Sequence, residues 1–487
     1  MNNQWVLQVG LGESGLACAR WSLSQGARVT VIDTREHPPG LVELRAQWPE
    51  VQCVNSLDGM DWTFTKVVVS PGLAPAHPLM QTVASCARQH GVELDSELDL
   101  FADALADLQA RQNYSPKVLG VTGTNGKTTT TRMAACLAEF AGHTVVAAGN
   151  ISPAALEALR LALENETLPE VWVLELSSFQ LHWTKRLRLH ASTVLNLSQD
   201  HLDWHTSMEE YAQDKFRIFT EGAACVLNRD DPVVMGAVLH ESCRKITFGL
   251  NAPTALDEFG LLREGGMLWL AQTQGDEEAA GTRKKKQQPI EVHQKMLMPT
   301  EALQVAGLHN AANAMAALAL CVAVGMPMAR LLHGLRSYQG EPHRVQHVLQ
   351  IEGVDYFDDS KGTNVGATVA ALNGLARPTV LIAGGDGKGQ DFNPLQQPVA
   401  AHCKAVMLIG KDADAIAQAL SPTGVPCHRF NALAETVAAS HALCQPGDVV
   451  LLSPACASLD MFKNYVHRAE VFVDAVRELA SDRGQPC

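Results

Sequence analysis

Residues 120–130 read GVTGTNGKTTT: an apolar run, a glycine-rich turn, one lysine, then hydroxyl side chains. That order suits a phosphate cradle, in which backbone N–H groups of Gly123, Thr124, Asn125 and Gly126 and the start of a helix face an anion. Lys127 would reach the terminal phosphates of a nucleotide, and the hydroxyls of Thr128 and Thr129 open the helix, with Thr128 able to ligate Mg²⁺. The spacing departs from G-x-x-x-x-G-K-[ST], because position 121 is Val and Gly123 stands only three residues before Gly126. The competing reading is a tight turn with a chance lysine.

A second glycine turn, Gly10-Leu-Gly-Glu-Ser-Gly15, precedes Asp33 by a spacing that fits a dinucleotide fingerprint. A nicotinamide site, another nucleotide site and a structural turn all fit it. Glu13 argues against a pyrophosphate bound in the usual pose, since like charges repel at short range. Glu175, His201 and Lys215 form a third set. The first two follow successive apolar runs, where loops of a phosphate-binding sheet converge on nucleotide and metal. His201 and His205 are four apart, but Leu202 breaks the H-E-x-x-H zinc pattern. Asn310 and Asn313 are three apart, on one helical face; a helix cap explains them as well as a binding role does. Four terminal loops follow: His343-Arg344, Asp358–Asn364 (DDSKGTN), Gly384–Gly389 (GGDGKG) and Ser453–Ser458 (SPACAS). Each pairs small residues with polar or charged ones, and Arg344, Lys361 and Lys388 can hold carboxylate or phosphate.

These groups need a scaffold. Trp5–Val9, Arg28–Ile32 and Lys66–Ser70 read as strands, with Leu16–Gln25 helical, so a parallel sheet with crossover helices is predicted. Gln109–Pro116 reads as a linker. Lys117–Thr122, Val171–Leu176 and Ala191–Leu197 predict a second sheet, with a helix over about 310–324. Thr379–Gly384, Ala405–Ile409 and Val449–Ser453 predict a third, in a unit that begins near Gly340. Residues 275–289 (GDEEAAGTRKKKQQP) have no periodicity and read as a solvated loop. At 487 residues, with 46% hydrophobic and 18% charged, the chain is expected to be globular with about three domains. A net charge of −14 argues against nucleic acid as a partner. The 12 cysteines show no zinc spacing and read as reduced thiols. Trp5–Gly12 reads as a strand and turn rather than a signal peptide, and Ala314–Ala329, broken by Gly325 and Pro327, as a buried helix rather than a membrane span. A cytoplasmic protein is the expectation.

In order, GTNGKT at 123–128, LELSSFQ at 174–180, DHLD at 200–203, HNAAN at 309–313, His343-Arg344 and LSPACASLD at 452–460 resemble the Mur ligases along nearly the whole chain. DSKGTN at 359–364 and the N-terminal turn with Asp33-Thr-Arg35 resemble the D-glutamate-adding branch. The resemblance implies an α/β chain of three domains: Rossmann-like over 1–110, a P-loop ATPase-like unit over 111–340, and Rossmann-like over 341–487. It implies an ATP- and Mg²⁺-dependent ligase joining D-glutamate to UDP-N-acetylmuramoyl-L-alanine through an acyl phosphate, with no membrane span and as a monomer. Gly123–Thr129, Asn310, Asn313, Arg344 and Asp359 would hold ATP. Thr128, Glu175, His201 and a carbamylated Lys215 would serve the metal, with Lys127, Glu175, His201 and Lys215 catalytic. Ser14, Asp33, Thr34, Arg35, Gly72, Asn150 and His201 would hold the nucleotide precursor, and Lys361, Thr363, Lys388, Ser458 and Tyr465 the D-glutamate. Glu13, Gly362 and Tyr465 depart from the pattern, where an apolar residue, Ala and Phe are more familiar. A folylpolyglutamate-synthase-like ligase and a nicotinamide-dependent oxidoreductase are the alternatives.

Overall fold

A computed structural model describes residues 4–57, 62–201, 204–275, 292–305 and 307–485. Three sheets follow one another along the chain. The first contains β1 (Trp5–Val9), β2 (Arg28–Ile32), β3 (Gln52–Val54), β4 (Lys66–Val69) and β5 (Leu94–Ser96), in the order β3-β2-β1-β4-β5 and all parallel. The second holds β6 (Lys117–Thr122), β7 (Val145–Gly149), β8 (Val171–Glu175), β9 (Ala191–Val194), β10 (Ala224–Asn228), β11 (Arg244–Phe248), β12 (Glu258–Glu264), β13 (Met267–Gly275) and β14 (Val292–Pro299). Its order is β14-β13-β12-β11-β10-β9-β6-β8-β7. The third comprises β15 (Gln346–Ile351), β16 (Val354–Asp358), β17 (Thr379–Gly384), β18 (Cys403–Ile409), β19 (Cys427–Arg429) and β20 (Val449–Leu452), ordered β15-β16-β20-β17-β18-β19. Strands buried on both faces read as unbroken apolar runs, as in Val-Trp-Val-Leu of β8 and Val-Leu-Ile-Ala of β17.

The predicted strands at β1, β2, β6 and β17 have the observed bounds, β4, β8, β18 and β20 differ from prediction by one or two residues, and larger changes fall at three places. The first helix is Glu13–Ser24, starting three residues before the predicted Leu16, because the glycine turn ends at Gly12. β9 stops at Val194, so the polar residues beyond it form a loop. Helix Glu97–Gln112 consumes the first half of the predicted linker; a Ser96–Asp99 capping box starts it and Asn113, left-handed at φ 55°, ends it. β12–β14 form an antiparallel extension absent from the sequence reading. Its β12–β13 turn is Gly265-Gly266, both at positive φ, which a tight hairpin requires. Of the predicted loop at 275–289, residues 276–289 lie outside the described residues.

The seams between sheets differ in kind. The first unit is tied to the second by Arg186, which donates to Asp95 and Asp103 at 2.8–2.9 Å, and by the Lys185 and Arg186 backbone N–H groups, which donate to Asp99. Glu97 Oε1 accepts from the Leu156 N–H at 3.1 Å. Between the second and third sheets, the polar contacts gather at the glycine turn described next.

Candidate active site

β6 ends at Thr122, the turn occupies Gly123–Gly126, and helix Lys127–Phe140 follows. Gly126 sits at φ +83°, and a Cβ there would lie 2.6 Å from Asn313 Oδ1, so both conformation and space demand glycine. Asn196, in the loop after β9, clamps the turn: its Oδ1 accepts from Asn125 N at 2.9 Å and its Nδ2 donates to Asn125 O at 3.0 Å. Lys127 Nζ curls back to donate to Gly123 O at 2.9 Å and Thr124 O at 2.8 Å. Burial lowers its pKa, and the cations Arg344 and Lys361 act in the same direction against Glu175 and Asp200.

Beside this turn, Glu175 is only 2% exposed at the end of β8. Its Oε1 accepts from Asn150 Nδ2 at 2.8 Å, while its buried Oε2 has no hydrogen-bond partner among the described residues. Lys215, on helix Met208–Phe216, is 1% exposed and approaches from beneath, donating to Gly123 O at 2.9 Å. Burial, reinforced by the Lys127 charge, pushes its pKa well below the usual lysine range. His201 follows β9 in a left-handed conformation, φ 54°, with its ring edge-on to Phe179 at 4.8 Å.

The opposite wall comes from the third unit. Arg344 Nη2 donates to Thr128 Oγ1 at 2.8 Å, and Asn364 Nδ2 donates to Asn125 Oδ1 at 3.1 Å and Asp200 Oδ2 at 3.3 Å. Lys361 Nζ stands 3.8 Å above the Tyr465 ring, a cation–π contact. The two walls enclose a cleft of about 610 Å³ that contains Lys127, Arg344 and Lys361 together with Glu175, Asp200 and His201. Arg468, fully buried, stiffens the wall: it donates to Ser360 Oγ at 3.0 Å, Ser360 O at 2.7 Å and Cys456 O at 3.1 Å, joining two terminal loops. Burial lowers its pKa to about 10. Asp359 lies beneath the same loop, accepting from Ser453 Oγ at 2.6 Å, and burial pushes its pKa up to about 7.

Of the predicted site residues, Thr124–Thr128, Asn150, Glu175, His201, Arg344, Lys361, Thr363 and Tyr465 line this cleft. Gly123 and Thr129 form the body of the turn and helix. Asn310 and Asn313 are buried behind the turn, and neither is the N-cap of its helix, a place Gly307 takes. Lys388 and Ser458 lie apart from the cleft lining, in loops joined by the Asp386–Ala457 bridge; Lys388 is exposed and Ser458 buried. Ser14, Asp33, Thr34, Arg35 and Gly72 line a separate cavity of about 430 Å³ in the first unit. There Asp33 is already engaged: Arg35 Nε and Nη2 donate to it at 2.9 and 2.6 Å, and Leu11 N at 2.8 Å. Although burial opposes its charge, these donors hold the Asp33 carboxyl below the usual range. The sequence reading assigned no role to Asp200, Asn364 or Arg468. The first two lie within quoted motifs, DHLD at 200–203 and DSKGTN at 359–364, but Arg468 sits in helix Tyr465–Asp482 with no local signal.

Comparison with known proteins agrees along the chain. Family models match in sequence order: the Mur ligase MurD-like N-terminal domain over residues 4–94, the Mur ligase middle domain over 121–321, and the Mur ligase glutamate ligase domain over 343–456. The UDP-N-acetylmuramoylalanine--D-glutamate ligase of Burkholderia pseudomallei (strain 668) is 53% identical over 493 residues, covering 98% of each chain. The protein of the same name from Cupriavidus metallidurans is 52% identical, again over 98% of each chain. Among solved structures, the fold is shared with the MurF ligase of Thermotoga maritima in complex with ADP (TM-score 0.56, 17% identity, 99% of this chain and 96% of that one). It is shared too with the UDP-N-acetylmuramate-alanine ligase of the same organism (TM-score 0.53, 19% identity, 98% and 99%). The chain belongs to the Mur ligase family.

Proposed function

We propose that this chain is an ATP-dependent ligase that joins D-glutamate to UDP-N-acetylmuramoyl-L-alanine in peptidoglycan synthesis. The observation that carries the reading is the single cleft in which Lys127 and Arg344, from different units, face Lys361 and Tyr465. We assign precursor binding to residues 1–110, ATP binding to 111–340 and D-glutamate binding to 341–487, acting as a monomer in the cytoplasm. Among the described residues no helix is long and apolar enough to cross a membrane.

The reaction begins when the carboxylate of the L-alanyl group attacks the γ-phosphorus of ATP, releasing ADP and forming an acyl phosphate. The amine of D-glutamate then adds to the acyl carbon, loses a proton and expels phosphate. Both steps concentrate negative charge, which Lys127 and Arg344 are placed to offset, with His201 near the reacting carboxyl. Lys361 would pair with a D-glutamate carboxylate while the Tyr465 ring covers the side chain, and Thr363 supplies a neighbouring hydroxyl. Lys388 and Ser458 would join them through movement of their loops. Asn310 and Asn313 back the nucleotide turn and Asp359 its far side. Arg35, held by Asp33 and flanked by Ser14, Thr34 and Gly72, would take the uridine end, while Asn150 reaches the sugar or phosphates.

Mg²⁺ fits the donor set: Glu175 Oε2 is a buried carboxylate oxygen lacking a partner among the described residues, in the cleft that the Thr128 hydroxyl and His201 also line. When bound it would neutralise phosphate charge. A neutral Lys215 amine is the form that attacks CO₂, yielding a carbamate and one proton, and so replaces a cation with an anionic oxygen ligand. Two other readings fare worse. An oxidoreductase needs the Asp33 carboxylate for a ribose, yet Arg35 and Leu11 fill it. A folylpolyglutamate-synthase-like ligase leaves the matched N-terminal domain unexplained. The test is ADP release and product mass over a panel of amino acids, with and without the precursor. D-Glutamate with UDP-N-acetylmuramoyl-L-alanine should give the only ligated product, and ADP release indifferent to both would overturn the assignment.

A further inference from the structure

Glu175, His201 and Lys215 belong to three chain segments, and one buried carboxylate touches all three. Asp214, 2% exposed, precedes Lys215 on helix Met208–Phe216. Its Oδ2 lies 2.8 Å from His182 Nδ1, on helix Ser178–Trp183, which begins three residues after Glu175. The same oxygen lies 3.4 Å from Nδ1 of His205, on the loop that carries His201. His205 is itself buried, and its Nε2 lies 2.9 Å from Ser178 Oγ, closing the circuit between the segments of Glu175 and His201. Phe179 adds an apolar link, stacking on His205 at 5.6 Å and meeting His201 edge-on at 4.8 Å.

We propose that Asp214, acting with His205 and His182, is a positioning hub that sets the relative placement of Glu175, His201 and Lys215. The inference rests on reading those three as the metal-binding set. A cation seat on His182, Glu210 and Asp214, whose ligand atoms lie within 4.8 Å of one another, fits less well. Arg217 Nε already contacts Asp214 Oδ1 at 3.1 Å, and Glu210 Oε2 accepts from Thr206 N and Oγ1 at 2.7 and 2.5 Å. Groups one step removed from a metal commonly change its affinity about 10–100-fold when removed, because they fix the aim of the ligands.

The experiment titrates initial rate against Mg²⁺ for the full chain and its Asp214→Ala, His205→Asn and Glu175→Gln variants. KM for D-glutamate, thermal melting and the ¹³C signal of a Lys215 carbamate in ¹³C-bicarbonate are recorded alongside. Asp214→Ala should raise the half-activating Mg²⁺ concentration about tenfold or more and weaken the carbamate signal. The KM for D-glutamate should change less than about twofold, since the third unit is untouched. His205→Asn removes one spoke and should shift Mg²⁺ dependence in the same direction by less; it decides the matter if Asp214→Ala does not fold. If Glu175→Gln shifts the Mg²⁺ dependence and neither hub variant does, the hub is wrong. If Glu175→Gln shifts nothing, the metal-binding set itself is wrong and the hub falls with it.

Discussion

At the N-terminal junction β1 passes through Gly10 and Gly12 into a helix whose first residue is Glu13; at the central junction β6 passes through Gly123 and Gly126 into a helix whose first residue is Lys127. The backbone plan is the same, and the charge at the helix start is opposite. A helix N-terminus carries partial positive charge, so Glu13 satisfies it internally, whereas Lys127 adds to it. With Arg344 and Lys361 also lining the cleft, the central turn is a cation-rich site whose charge an anionic ligand would balance. Its counterpart has one accessible guanidinium, Arg35, already paired with Asp33. A strand–glycine–helix junction therefore does not specify a polyphosphate site; the side chains gathered around it do. The N-terminal cavity is built within one unit and suits holding a ligand, while the cleft needs two units and suits reacting one.

The sharpest way to break this comparison is to exchange the consequences of its two cations. Lys127→Ala should lower kcat for ADP formation by about 10²–10³-fold, since its charge would stabilise the transferring phosphoryl group. Arg35→Ala should leave kcat within about twofold and raise KM for the nucleotide precursor by about 10–100-fold, the cost of a charged hydrogen bond. Steady-state kinetics on both variants decides the point, and a kcat loss in Arg35→Ala would erase the distinction. A smaller effect is expected in the third unit. A Cβ at Gly362 would lie 2.5 Å from Asp359 Oδ2 and 3.0 Å from Ser453 Oγ. Gly362→Ala should therefore displace the Asp359–Ser453 pair and cost about 1–3 kcal/mol of stability, seen as a lower melting temperature.

The smallest effect is a pH slope. Asp359 titrates at about 7 in the folded chain, above its ordinary value of 3.8, because burial disfavours the carboxylate. The folded state holds that proton more tightly, so this group's contribution is fully present below about pH 4 and is lost as pH rises through about 7. Asp359→Asn removes that contribution. Its melting temperature should fall less than that of the unmodified chain between pH 5 and pH 8, and parallel curves would show that Asp359 is ionised on folding.

Local pattern determined much of this protein on its own. Apolar runs ending in glycine located β1, β6 and β17, since a strand buried on both faces has little choice of residue type. Turn chemistry located the Lys127 turn, because glycines followed by a lysine and hydroxyl residues open a helix N-terminus beside a cation. The β12–β13 hairpin went unread although Gly265-Gly266 marks its turn, since its strands do not alternate cleanly between apolar and polar residues. Tertiary structure alone decided the rest. That Asp33 serves Arg35, that Asn310 and Asn313 stand behind the turn, that Arg468 braces two loops, and that Asp214 reaches His182 and His205 all depend on residues far apart in the chain. Their meaning comes from distance and burial, which set whether a charge is paired, neutral or exposed, and no spacing along the sequence encodes those quantities.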